Sequence, residues 1–301
     1  MKEKTWVSGS LSPYQLHDIT HRPDWENLIV WDAYLNNMTS GFMVITGLAW
    51  MAGPGYFTAL LPWAITVALA IVVVDLILLI FDLGDPFRFT NAMRVMRFTS
   101  PLSVGVWGLA SYATCVGFAV GLYWLSYISA HTTDFLNPYI DILDMLTRMF
   151  VILAFLGALV VICYKGVAFS CTSQPGVKNA RWLTSFMVAD AMLMGLGVYS
   201  IMAAILQAPE AIAYLMLPTL ILIIARCIAF YLLSLDLNPR AELTNSKMEN
   251  FWVKFSVYIL GGVIAFGCCF IGPFGVTVAG VIALVVGLIE RYWIISTTKK
   301  I

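Results

Sequence analysis

The feature that most constrains this chain is a succession of eight apolar runs, each long enough to cross a lipid bilayer. They lie near 29–51, 57–81, 102–128, 146–169, 183–207, 211–235, 251–271 and 274–296. A transmembrane helix needs about 20 consecutive, predominantly apolar residues. Barrel strands would alternate in polarity over segments of about 10 residues. These runs are longer and continuously apolar, so they predict helices. Composition points the same way: 60% of residues are hydrophobic and 11% charged, against roughly half and a quarter in soluble domains. A soluble body this apolar would expose large greasy patches. The expected fold is all-α, a polytopic membrane protein of about eight transmembrane helices.

The breaks between runs have local causes. Gly53-Pro54-Gly55 ends the first and Asp82-Leu83-Gly84-Asp85-Pro86 the second; such clusters punctuate helices. Asn137-Pro138, Gln174-Pro175-Gly176, Pro209, Asn238-Pro239 and Gly272-Pro273 mark others. No internal repeat is evident. Met1 to Asn27 carries seven charged residues and lacks an apolar run, so it reads as a polar tail rather than a cleavable signal.

Charge placement tests the helix count. With an even number of crossings, the N-terminal tail, the connections after the second, fourth and sixth spans, and the C-terminal tail share one side. That side holds Lys2, Lys4, Arg22, Arg88, Arg94, Arg97, Lys165, Lys178, Arg181, Arg240, Lys247, Lys254, Arg291, Lys299 and Lys300. Arg148 falls opposite, and Arg226 lies deep in a span. The positive-inside rule then places both termini in the cytoplasm, in a multi-pass protein of the cytoplasmic membrane. A docking surface for a partner would gather the same charges.

Several chemistries find no foothold. The formal net charge is zero, which gives nucleic-acid binding no support. The histidines are His17, His21 and His131, none at mid-membrane, so a bis-histidine haem is not expected. The six cysteines include no CxxC pair, and an iron–sulfur cluster needs grouped thiolates. No metal site and no phosphate-binding glycine loop is expected.

Ionisable groups at membrane depth cost about 2.5–3.5 kcal/mol each on insertion scales and usually have a task. Asp75 lies in the second span, Asp190 in the fifth and Arg226 in the sixth. They read either as a buried proton path or as structural ion pairing between helices. The first span is polar: Asp32, Tyr34, Asn36, Asn37, Thr39 and Ser40 crowd one stretch. Asp32, Asn36 and Ser40 are each one turn apart and share a face. Asparagines inside an apolar helix need partners. A quinone needs donors to its carbonyl oxygens and acceptors for its quinol hydroxyls, an inventory that Asn, Tyr and Asp supply. Hydrogen bonding between helices would use the same residues.

Four motifs then fall in order: Asp82-Leu83-Gly84-Asp85-Pro86-Phe87-Arg88-Phe89, Ser100-Pro101-Leu102-Ser103-Val104-Gly105-Val106-Trp107, Tyr164-Lys165-Gly166 and Glu290-Arg291. Together they resemble the NrfD/PsrC family of polysulfide-reductase-type, quinone-reactive integral membrane subunits. The resemblance spans the chain in motif order. It implies two four-helix bundles, 29–169 and 170–301, behind a polar tail at 1–28. It also implies a subunit without haem or cluster of its own, which exchanges electrons between menaquinone or ubiquinone and an iron–sulfur protein. That protein would dock on the basic face and serve a molybdopterin-type catalytic subunit. By resemblance, Tyr164 falls on the family's quinone-side tyrosine and Asn36 and Asn37 in the equivalent stretch of the first helix; read together with the polar cluster, Tyr164 and Asp32 are the catalytic candidates, and Asn36, Asn37, Tyr34, Arg88 and Ser103 the quinone-binding ones. Asp75, Asp190 and Arg226 would line a proton path. The chain departs from the pattern at Lys165, where the family has threonine, and in its polar rather than glycine-rich first helix. Three other functions use similar features: a proton-translocating relative, a purely structural anchor, and a secondary transporter.

Overall fold

The computed structural model describes residues 27–82, 93–132, 138–171, 177, 180–244 and 247–299. Among them there is helix and no strand. Helices α1 (Asn27–Ala52) and α2 (Tyr56–Asp82) are followed by α3 (Pro101–Thr132) and α4 (Ile140–Ser170). Next come α5 (Leu183–Ile205) and α6 (Pro209–Thr244). The seventh, α7, starts as Lys247–Phe255 and becomes a π-helix over Ser256–Ile264. It closes through Ala265–Cys268 and a 3-10 turn, Cys269–Ile271. The last, α8, is Pro273–Lys299.

Seven of these, α2 to α8, are long and apolar enough to cross a membrane, and the chain is an integral membrane protein. The exception is α1, whose 26 residues are as long as its neighbours' but too polar for that test. Its surroundings explain this. Asp32, Asn36, Asn37, Thr39 and Ser40 are all buried, because α2, α4 and α5 pack around it. A helix enclosed by protein rather than lipid can carry polar groups, provided neighbours satisfy them.

Close crossings hold α1 in place. A Cβ at Gly41 would overlap the Ala191 carbonyl, and one at Gly195 would overlap the Gly41 backbone. The α1 and α5 backbones therefore touch through paired glycines, as small residues permit in membranes. Gly272 turns the chain between α7 and α8 with φ 93°, a conformation open to glycine. The break expected at Asn238-Pro239 does not occur: α6 continues to Thr244. One apolar core draws on helices from α1 to α8, including Phe42, Phe57, Tyr112, Tyr199 and Ala279. A second gathers Phe186, Phe230, Val257 and Trp293 from α5 to α8.

Candidate functional site

Two groups of buried polar side chains lie in the half of the bundle where α1 and α5 begin and α2, α4 and α8 end. The first is built on α1. Asn36 Nδ2 donates to Asp75 Oδ2 on α2 at 3.0 Å. Asp32, one turn earlier, forms an ion pair with Lys165 Nζ on α4. Asn36, Asp75, Asp32 and Lys165 are all buried. Ser40 Oγ donates to the Asn36 carbonyl at 2.7 Å. One turn deeper, Thr39 Oγ1 donates to the Ala68 carbonyl at 3.2 Å and lies 2.7 Å from the Tyr112 hydroxyl on α3. The group thus carries one ammonium against two carboxyl groups. Oδ1 of Asp32, Oδ1 of Asp75 and Oδ1 of Asn36 are buried without a hydrogen-bond partner.

Tyr164 borders this group and an open cleft at once. Lys165 Nζ lies 5.9 Å from the Tyr164 ring centroid. The same tyrosine lines a cleft of about 310 Å³ with Phe98, Pro101, Val104, Val160 and Cys163. The ring fits because position 105 is glycine: a Cβ there would overlap it. Ser100 and Pro101 start α3 as an N-cap serine and a first-turn proline, both favoured there; the Ser103 N–H donates to Ser100 Oγ at 3.4 Å. Ser103 Oγ accepts the Arg97 N–H at 3.0 Å and donates to the Val95 carbonyl at 3.4 Å. It therefore pins the segment that carries Phe98, a wall of the cleft, and does not itself line it.

The second group joins α5, α6 and α8. Arg226 Nε lies 2.9 Å from Asp190 Oδ1, and Arg226 Nη2 2.7 Å from Glu290 Oε2. Arg291 Nη2 lies 2.5 Å from Asp190 Oδ2. All four residues have 0% exposure. Two guanidinium groups balance two carboxylates, which removes the net charge that burial would penalise. The π-helical stretch of α7 meets this group at Gly261, where a Cβ would lie 2.8 Å from Arg226 Nη1.

The sequence-derived candidates thus divide. Tyr164, Asp32, Asn36 and Asp75 converge, whereas Asp190 and Arg226 pair in the other group. No hydrogen bond or ion pair among the described residues connects Asp75 to Asp190 or Arg226. Asn37 Nδ2 donates to the Met187 carbonyl on α5 at 3.3 Å, and the Tyr34 hydroxyl donates to the Leu284 carbonyl on α8 at 3.2 Å. Both engage helices other than those that form the cleft. Arg88 lies outside the described residues.

Sequence reasoning missed three charges. Lys165 and Arg291 were assigned to the basic face, yet they are 4% and 0% exposed. Glu290 was read only as part of a motif. A signal was present: Gly166-Val167-Ala168-Phe169 follow Lys165, and Tyr292-Trp293-Ile294-Ile295 follow Arg291, so neither residue ends its apolar run. Among the described residues no three His, Cys, Asp or Glu side chains are grouped to hold a metal.

Fold and site together define a polytopic membrane protein whose buried lysine–carboxyl group abuts an open, largely apolar cleft. The chain matches the family described as "Polysulphide reductase, NrfD" over residues 19–300, and it belongs to that family. Membership makes it a membrane subunit of the quinone-reactive oxidoreductase complexes. No curated protein matches the chain.

Proposed function

We propose that this chain passes electrons between the quinone pool and an iron–sulfur protein docked on its basic face, which in turn serves a molybdopterin-type catalytic subunit. The observation that carries the reading is the cleft beside Tyr164. Its walls are apolar, as an isoprenoid quinone requires, and one phenol marks its inner end. Behind that phenol stand carboxyl oxygens with hydrogen-bonding capacity to spare. A menaquinone or ubiquinone supplies two-electron, two-proton chemistry when bound. This chain's part is to orient the ring, exclude water and exchange protons. Tyr164 is the side chain positioned to hydrogen-bond a ring oxygen. The carboxyl pair Asp32 and Asp75 supplies the acceptor for a proton, and Asn36 holds Asp75 in place. Arg88 belongs to the loop expected to face the partner. The basic face is cytoplasmic in this reading, and residues 29–169 contain the quinone site.

The test uses the purified complex. Its wild-type form is expected to oxidise or reduce a quinone, and Tyr164→Phe to slow turnover by about 100-fold, the scale of general acid–base effects, with assembly intact. A lipophilic maleimide should label Cys163 in the cleft, and a quinone-site inhibitor should protect it. Labelling indifferent to inhibitor, together with native turnover in Tyr164→Phe, would place the quinone elsewhere.

A further inference from the structure

Lys165 is the buried charge of this site that the preceding reading leaves without a task. It sits five residues before the end of α4, is 4% exposed, and contacts both Asp32 and the Tyr164 ring. An exposed lysine one turn further along would have served the helix end equally well. Carried inward, this ammonium makes the two neighbouring carboxyls unequal. Asp32 receives the cation. Asp75 accepts its hydrogen bond from the neutral amide of Asn36, and its Oδ1 remains without a hydrogen-bond partner.

We propose that Lys165 is a positioning residue for proton exchange at the cleft: its ammonium pairs with the Asp32 carboxyl beside Tyr164, and Asp75, held by the neutral Asn36 amide, is the carboxyl that takes and returns the proton. The inference rests on the quinone reading and deepens it. The groups facing Asp75 are Asp32 and Asn36 from α1, Tyr164 and Lys165 from α4, and Tyr112 from α3. No second cation faces it among the described residues. A quinol that gives two electrons to the iron–sulfur protein sheds two protons. One is held on Asp75 and the other leaves at the face where α4 ends; quinone reduction runs both transfers backwards. One turn further along α1, Thr39 pairs with the Tyr112 hydroxyl, and Phe42, Phe57 and Tyr199 form a buried ring cluster.

The experiment is a double-mutant cycle on the intact complex, read as quinol turnover across pH and as thermal stability. Lys165→Met is expected to lower turnover about 100-fold and change the shape of the pH profile, while Lys165→Arg, which keeps the charge, retains turnover within about ten-fold. In an Asp32→Asn background, Lys165→Met should add no further loss, because the lysine acts through that carboxylate. Should Lys165→Met alone fail to assemble, Asp32→Asn/Lys165→Met removes both charges and keeps the question answerable. A double variant that turns over as fast as wild type with an unchanged pH profile assigns the pair to packing and overturns the proposal. Independent, additive losses from the two substitutions overturn it as well. A wild-type complex inert towards quinol is a different failure, visible in the unmutated control, and defeats the quinone reading itself.

Discussion

Gly105 shapes the cleft as much as Tyr164 does, because the phenol ring occupies the space a Cβ would fill. Gly105→Val is therefore expected to displace the ring and weaken a quinone-site inhibitor at least about ten-fold. Helical content should remain native, as circular dichroism would report, since valine is tolerated in a helix at a few tenths of a kcal/mol. Asn36 makes a different prediction. Replacing it with leucine strands the Asp75 carboxyl in a dry interior. A buried polar group left unsatisfied costs about 1–3 kcal/mol, so Asn36→Leu should lower both the unfolding midpoint and turnover. An Asn36→Leu protein as stable as wild type would show that the 3.0 Å bond to Asp75 contributes nothing. At this scale the sequence was partly legible. The spacing of Asp32, Asn36 and Ser40 announced a polar face, but nothing in it named Lys165 as the partner, since that pairing joins residues 133 positions apart.

Among elements, α1 carries the site and owes its place to the crossing with α5. Gly41→Leu drives a side chain into the Ala191 carbonyl. Backbone has little room to yield, and overpacking of a core costs about 1–3 kcal/mol or more. The expected result is a lower melting temperature in detergent and loss of the Asn37 contact to Met187, with the α3–α4 pair unaffected. Among the described residues each apolar run became a helix, because a backbone in lipid must satisfy its hydrogen bonds within itself. Hydropathy missed the ends. The run at 146–169 became Ile140–Ser170, and the one at 102–128 became Pro101–Thr132. Helices continue past the hydrocarbon into residues that hydropathy discounts. The π-helical stretch of α7 was invisible, because one extra residue per turn barely alters the pattern of an all-apolar segment.

At the scale of the whole molecule, buried charge among the described residues falls into two separate groups. The group on α5, α6 and α8 has matched charges and full burial, so its physics is that of a staple. Removing one partner of a buried pair costs about 3–5 kcal/mol. Arg226→Met should accordingly abolish stable assembly, and Arg226→Met/Glu290→Gln should recover much of the yield by restoring neutrality. If the double variant is no better than the single one, charge balance is not what this group supplies. The Lys165 group has unequal charges and a neighbouring open cleft, which suits exchange better than stapling. The sequence distinguished neither role, because Asp75, Asp190 and Arg226 look alike in a linear hydropathy profile; only the assembled helices separate them.

The sheltered position of α1 bears on how the protein is made. This helix emerges from the ribosome before α2, α4 and α5, the neighbours that make its asparagines and aspartate tolerable. Until those arrive, it partitions poorly into lipid, and the translocation machinery must hold it or let it dwell at the interface. The polar helix is therefore satisfied only once α2, α4 and α5 have packed, and its fit against α5 depends on the crossing at Gly41 and Gly195.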